Sequence, residues 1–147
     1  MSKEDAALDD IDQSILILLQ ENARISMTEL GKKVGLSTPA VNERVKKLED
    51  KGVIKGYRAI IDTEKLNKSV TAFILFDTKQ GKSFRDFCKK DHNVVECHRL
   101  AGQFSYLVKI VTESVQSLEE FIDSSLAYGE PSTLIKLSSV VEYRPFS

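Results

Sequence analysis

The sequence predicts an α+β chain in two parts: three short helices at the N-terminus, then a unit of order β-α-β-β-α-β. Three observations carry this. Apolar residues recur at helical spacing up to residue 51, and from Val70 onward runs rich in branched and aromatic residues alternate with two further helical patterns. A polar stretch, TEKLNKS, separates the two regimes. The expected boundaries are therefore residues 1–62, a linker over 63–69, and a second domain over 70–147.

The first helix begins at Asp9, an N-cap whose partner Asp12 stands at the third helical position; both carboxylates favour the positive helix end. Ile11, Ile15, Leu18 and Leu19 make its apolar face. The second starts at SMTE, where Ser26 and Glu29 have the spacing of a capping box; Met27, Leu30 and Val34 follow on one side, and Gly35 ends the helix. Gly31 inside it costs about 1 kcal/mol relative to Ala, which a close crossing of two helices would explain.

The third helix is predicted with Thr38 as N-cap and Pro39 at the first helical position. With Val41 at zero on the helical wheel, Val45 falls at about 40° and Leu48 at about 340°; Pro39, Glu43, Lys46 and Lys47 point away, with Asn42 and Arg44 on the flanks. Two short helices joined by a tight turn, the second offering its N-terminal residues outward, form the helix-turn-helix plan. In that plan Ser37, Thr38, Pro39, Asn42, Glu43, Arg44, Lys46 and Lys47 form the DNA-binding face: Ser37, Thr38 and Asn42 can bond base edges in the major groove, while Arg44, Lys46 and Lys47 can read guanine or hold phosphates. After Gly52, VIKGYRAIID reads as a short β-ribbon, a wing that would put Lys55 and Arg58 beside the duplex backbone.

Charge placement supports this more than the total does. The chain carries a net charge of −1, yet residues 1–22 hold six acids (Glu4, Asp5, Asp9, Asp10, Asp12, Glu21) against Lys3, and residues 23–58 hold nine bases against four acids. A balance of −5 thus gives way to one of +5 across the predicted recognition helix. A helical hairpin with a merely solvated charged face is the plainer alternative.

In the second part, VTAFILFDT (70–78) is a strand, and Phe84, Phe87 and Cys88 mark a helix after Ser83. Strands follow at Val94–Ala101 and Tyr106–Val111, divided by a turn at Gly102. Ser117 and Glu120 suggest a second capping box before Leu118, Phe121, Ile122 and Leu126, and Ser132–Val141 fits a last strand. This order is the ferredoxin-like plan, an antiparallel sheet with two helices on one face. Both alternations of the strands are apolar, so the other face is expected to be covered by another subunit.

Taken together, LDDIDQSILILLQENARIS, TELGKKVGLS, VNERVKKLEDKGVIKGY and LAGQFSYLVKI resemble the leucine-responsive and asparagine-operon regulators, the Lrp/AsnC or feast/famine family, over nearly the whole chain. The resemblance implies a winged helix-turn-helix joined to an amino-acid-sensing domain. It also implies double-stranded DNA as partner, homodimers built through the sheets, and assembly to tetramers or octamers around which DNA wraps. Such proteins bind a small effector near a loop of form Gly-x-x-Asp-Tyr, here Gly102, Gln103, Phe104, Ser105 and Tyr106. Ser105 stands where a carboxylate is usual, and so lacks the charge that would meet an α-ammonium group. By the same resemblance Thr133 belongs to a second effector-contacting segment, and Asn67 replaces a linker glycine whose left-handed conformation an Asn can imitate.

Other classes fare less well. No apolar run approaches the ~20 residues of a membrane span, and MSKEDAALDD lacks the basic start of a signal peptide, so a cytoplasmic protein is expected. Cys88, His92, Cys97 and His98 lie within eleven residues but lack a C-x₂-C pair, and free buried thiols explain the cysteines better than a metal or a disulfide. Haem-biosynthetic decarboxylases resemble the same fold, but no nucleophile–base pair or phosphate loop is present, and neither an enzyme nor a cofactor is expected. An architectural DNA-binding protein without an effector is the nearer rival, given Ser105.

Overall fold

The computed structural model describes residues 7–147. Lys3, Glu4 and Asp5, counted above in the acidic N-terminal balance, lie outside the described residues. The chain divides into two compact units, one of residues up to Ile60 together with Val141–Ser147 and one of Ile61–Val140.

Three helices build the first unit: α1 (Asp10–Glu21), α2 (Met27–Val34) and α3 (Thr38–Asp50). Their stops and starts are set locally. Asp9 accepts from the Asp12 backbone while Asp12 reaches back to the Asp9 amide, a reciprocal cap on α1. Ser26 accepts from Glu29 N at 3.0 Å, and Gly35 closes α2 in the left-handed region at φ 74°. On α3 the cap falls one residue earlier than predicted: Ser37 accepts from Ala40 N, so Thr38 is the first helical residue and Pro39 the second. Either early position tolerates a proline, since neither needs its N–H for an intrahelical bond.

The faces so positioned enclose Ile15, Leu19, Ile25, Leu30, Val41, Val45 and Leu48. Gly31 is buried against the turn that follows α2: a Cβ there would lie 2.6 Å from the Leu36 carbonyl oxygen, while Leu36 N donates to Gly31 O at 2.9 Å. The glycine is thus required by the turn's own backbone. Residues 53–62 correct another expectation: they form no strand, so the wing is not a β-ribbon. Among the described residues no strand precedes Val70 to complete a ladder with them, and Ile60 and Ile61 remain exposed.

The last residues return to α1. The Gln20 side-chain amide donates to Phe146 O at 2.7 Å and accepts from Tyr143 Oη at 2.7 Å and from Phe146 N at 3.3 Å. Residues 141–147, expected with the second domain, therefore pack with the first unit.

In the second unit a 3₁₀ turn at Glu64–Leu66 ends on Asn67 in the left-handed region, φ 57°, the conformation its place in the linker predicts. Then follow β1 (Val70–Asp77), α4 (Gly81–Lys90), β2 (Val94–Arg99), β3 (Tyr106–Thr112), α5 (Val115–Ser125) and β4 (Glu130–Ile135). The antiparallel sheet has the order β2-β3-β1-β4. Ala72, Ile74 and Phe76 of β1 stand opposite Ile110, Val108 and Tyr106 of β3, and this face packs on Phe84, Cys88, Leu118 and Phe121 of the two helices. Phe76 stacks on Phe84 with ring centroids 4.2 Å apart. On the opposite face Phe73, Leu75 and Leu107 are only half-buried, and Leu134 is exposed.

Several element boundaries differ from expectation: α4 starts at Gly81 rather than after Ser83, β2 ends at Arg99 rather than Ala101, and β4 starts at Glu130 rather than Ser132. The cap of α5 is Ser114 with Ser117 at its third position, not Ser117 with Glu120; Ser114 takes extended backbone and accepts from Ser117 N at 3.1 Å. The last strand ends at Ile135 rather than Val141: Ala72 pairs with Ile135, Lys136 N donates to Thr71 O at 2.8 Å, and β1 begins only one residue earlier, at Val70, so it could not pair as far as Val141.

Replacing Gly31 by Ala tests the turn. Alanine gains about 1 kcal/mol in helix propensity, but a methyl held against a backbone carbonyl is overpacking of the kind that costs roughly 1–3 kcal/mol. A lower urea midpoint for Gly31→Ala is the expected outcome, and an unchanged or higher midpoint would refute the close approach.

Candidate nucleic-acid interface and effector loop

The outward face of α3 is built by its buried one. Val41, Val45 and Leu48 are held in the core of the first unit, which leaves Asn42, Glu43, Lys46 and Lys47 exposed, with Ser37 and Pro39 exposed at its start and Thr38 partly covered. Thr38 donates to the Thr28 hydroxyl at 3.4 Å, a contact between α3 and α2. Lys47 and Glu43 approach at 3.9 Å along the helix, an exposed pair of small energetic weight. Lys55 and Arg58 are exposed on the extended segment after α3.

Arg44 differs from its neighbours. Its Nη1 donates to Asp9 Oδ2 at 2.5 Å and to Asp12 Oδ1 at 3.2 Å, so the guanidinium bridges α3 to the capped start of α1. The Arg44 guanidinium holds the Asp9 carboxyl below its ordinary value, helped by the Asp12 backbone N–H. The two carboxylates in turn raise the arginine. Arg44, partly exposed, is thus engaged with the two carboxylates of α1, whereas Asn42, Lys46 and Lys47 beside it are exposed. Its flank position on the wheel was visible in the sequence, but the pairing 35 residues away was not.

In the second unit the loop between β2 and β3 carries the predicted effector residues. Gly102 adopts φ 138°, and Leu100 N donates to Ser105 O at 2.8 Å to close the turn. Ser105 is fully engaged with the end of β1: its N–H donates to Phe76 O, its hydroxyl donates to Thr78 O at 3.2 Å, and the same oxygen accepts from Thr78 N at 3.3 Å. Tyr106 is buried, its ring against Phe84 and its hydroxyl accepting from Arg85 Nη1 at 2.7 Å. Gly102, Phe104, Ser105 and Tyr106 border a cavity of about 300 Å³. Gln103 is exposed away from it, and Thr133, paired with Ile74 on β4, does not border it.

The sequence reading missed Lys79, Arg85 and Arg99, which border the same cavity. They come from the loop after β1, from α4 and from the end of β2, so no local spacing unites them; only the split strand order brings them together. The Cys/His group comes together only in part, as Cys88 of α4 and Cys97 of β2 are neighbours. Cys88 is buried on α4, and burial, followed by the neighbouring Cys97 thiol, pushes its thiol up to about 12, so it is protonated and a poor metal ligand. Among the described residues no group of three or more His, Cys, Asp or Glu is arranged to hold a metal ion. Nor is any described helix long and apolar enough to cross a membrane.

A Lrp/AsnC ligand binding domain pattern matches residues 71–146, and a winged helix-turn-helix DNA-binding pattern matches residues 8–55. The chain belongs to the Lrp/AsnC family. This member is 57% identical over 132 residues to YezC, an uncharacterized HTH-type transcriptional regulator of Bacillus subtilis, across 90% of this chain and 95% of that one. The solved structure of B. subtilis LrpC superposes with a TM-score of 0.87 at 34% identity, covering 93% of this chain and 99% of that one. A Neisseria meningitidis transcriptional regulator in complex with L-methionine also aligns with a TM-score of 0.87, at 27% identity over 96% of this chain and 97% of that one. Like its relatives, this Lrp/AsnC protein is a DNA-binding transcription regulator with a ligand-binding domain.

The Arg44 brace has a pH signature. Asp9 titrates below its ordinary value of 3.8 in the folded chain, so its contribution is complete above that pH and is lost as the pH falls through it towards the lowered folded value. Thermal melts of wild type and Arg44→Gln should converge as the pH is taken below 3.8. A gap that stays constant across this range would show that the carboxylate is not what Arg44 stabilises.

Proposed function

We propose that this Lrp/AsnC regulator enters the major groove with the N-terminal end of α3. In this reading Ser37, Thr38 and Asn42 meet base edges, Lys46 and Lys47 meet bases or phosphates, and Lys55 and Arg58 hold the backbone of the duplex. Arg44 supports them from behind through Asp9 and Asp12. One observation carries the reading: α3 keeps Asn42, Lys46 and Lys47 exposed while its arginine is tied inward.

The domain limits of 1–62, 63–69 and 70–147 fit this division of labour if the C-terminal residues 141–147 are counted with the first unit, where Gln20 holds them. The half-buried residues Phe73, Leu75 and Leu107 favour a homodimer joined through the sheets, with tetramers or octamers built from it. The effector binds beside Gly102–Tyr106 and alters contacts between dimers, and so the spacing of the helix-turn-helix units on DNA. By linkage, DNA of matching geometry changes effector affinity by the same factor. The protein regulates metabolic genes in the cytoplasm and catalyses no reaction. A second reading, architectural binding without an effector, is favoured by Ser105, whose hydroxyl is committed to Thr78.

The deciding experiment is binding of the full chain to duplex DNA from the gene's own upstream region, titrated against salt with and without a mixture of small metabolites. Steep salt dependence with a shift by the mixture supports the gated regulator. Salt dependence alone supports the architectural reading, and no binding at low salt refutes both.

Two substitutions separate the roles. Asn42→Ala should relax base preference, and an unchanged ranking of sequences would remove it as a base reader. Lys55→Ala should weaken binding to all sequences alike and lower the salt slope by about 0.9, the loss of one phosphate contact.

A further inference from the structure

The cavity beside Gly102–Tyr106 has an unbalanced charge. Lys79, Arg85 and Arg99 all border it, and no carboxylate does. Among the described residues none of the three cations has a salt-bridge partner: the ion pairs present are Arg44 with Asp9 and Asp12, Lys47 with Glu43, and Glu96 with His98 and Lys109. Arg85 is held by a neutral group, the Tyr106 hydroxyl, which leaves the rest of its fork without a carboxylate. The two hydroxyls nearest these cations are already engaged, the Ser105 oxygen with both the N–H and the carbonyl of Thr78 and the Tyr106 oxygen with Arg85, and neither carries a negative charge that would favour a cation. Gly81 borders the same space, where a Cβ would come within 3.2 Å of both Arg85 Nη1 and Tyr106 Oη; any larger residue would crowd this corner.

A zwitterionic amino acid brings an α-ammonium that finds three like charges and no anion here. A ligand with two or more negative oxygens and no ammonium meets complementary charge at Lys79, Arg85 and Arg99, and guanidinium forks suit carboxylates and phosphates alike. Building on the effector reading above, we infer that this cavity takes a small, multiply charged oxyanion, a dicarboxylate or a phosphate, in preference to a neutral amino acid. The volume of about 300 Å³ fits a ligand of that size. Ser105 is then part of the selectivity, because a carboxylate at that position would repel the same ligand.

The test is calorimetric titration of the full chain, at fixed ionic strength, with succinate, α-ketoglutarate, inorganic phosphate, L-leucine and L-methionine. At least one of the three anions should bind at least about tenfold more tightly than either amino acid, and Lys79→Gln, Arg99→Gln and Ser105→Asp should each weaken that anion by about tenfold, the usual worth of one charge-assisted bond. The order of the dicarboxylates and phosphate tells which source supplies the oxygens. Equal or tighter binding of leucine or methionine overturns the inference, as does anion binding indifferent to all three substitutions or the absence of anion binding. Binding of the ligand-free chain to its upstream duplex is measured alongside. DNA binding without anion binding defeats this inference alone, whereas anion binding without DNA binding defeats the regulator reading and leaves the cavity's assignment standing.

Discussion

The backbone of Leu36 passes so close to residue 31 that only a glycine leaves it room, and the presentation of α3 depends on that approach. The turn between α2 and α3 is short, with Gly35 left-handed and Leu36 N bonded back to Gly31 O, so the direction in which α3 departs is set by backbone geometry before any side chain is chosen. Burial of Val41, Val45 and Leu48 then fixes the rotation of α3 about its axis, and the Arg44 bridge ties it to α1. A side chain such as Asn42 can meet a base edge reproducibly only because these separate restraints leave its helix little freedom.

Much of this was legible in the sequence because helix ends announce themselves locally. Asp9 with Asp12, Ser26 with Glu29, and Gly35 act over three or four residues: the first pair caps reciprocally and Gly35 is left-handed as its place suggested, while Ser26 accepts from Glu29 N without the return bond of a full capping box. The misassigned caps show the limit of that logic. Ser37 and Thr38 are both good N-caps, as are Ser114 and Ser117, and the choice between adjacent candidates is made by backbone conformation rather than by residue type. Strand length was less legible still: β4 stops where β1 offers no further partner, and the wing forms no ladder because pairing is a property of two segments.

The candidate sites divide along the same line. The exposed face of α3 was readable because a helical wheel is a local construction, and the loop at Gly102–Tyr106 because its residues are contiguous. The bridge made by Arg44 could not be read there, since its carboxylate partners stand at the start of another helix. Nor could Lys79, Arg85 and Arg99, which lie on different elements and become neighbours only through the order β2-β3-β1-β4. The charge of a cavity wall is a property of topology, which composition and spacing do not disclose.

The hold of Gln20 on Tyr143 and Phe146 bears on how the two units can be taken apart. Because the first unit uses both ends of the described chain, the polypeptide crosses between the units twice, near residues 60 and 140. A fragment cut after residue 62 would keep all three helices yet strip Gln20 of its tail partners, while a fragment of the second unit alone would carry a tail with no helix to receive it. The helix-turn-helix itself is continuous in sequence, but the unit that carries it is not, and faithful isolation of that unit calls for a short covalent splice that restores the tail to α1.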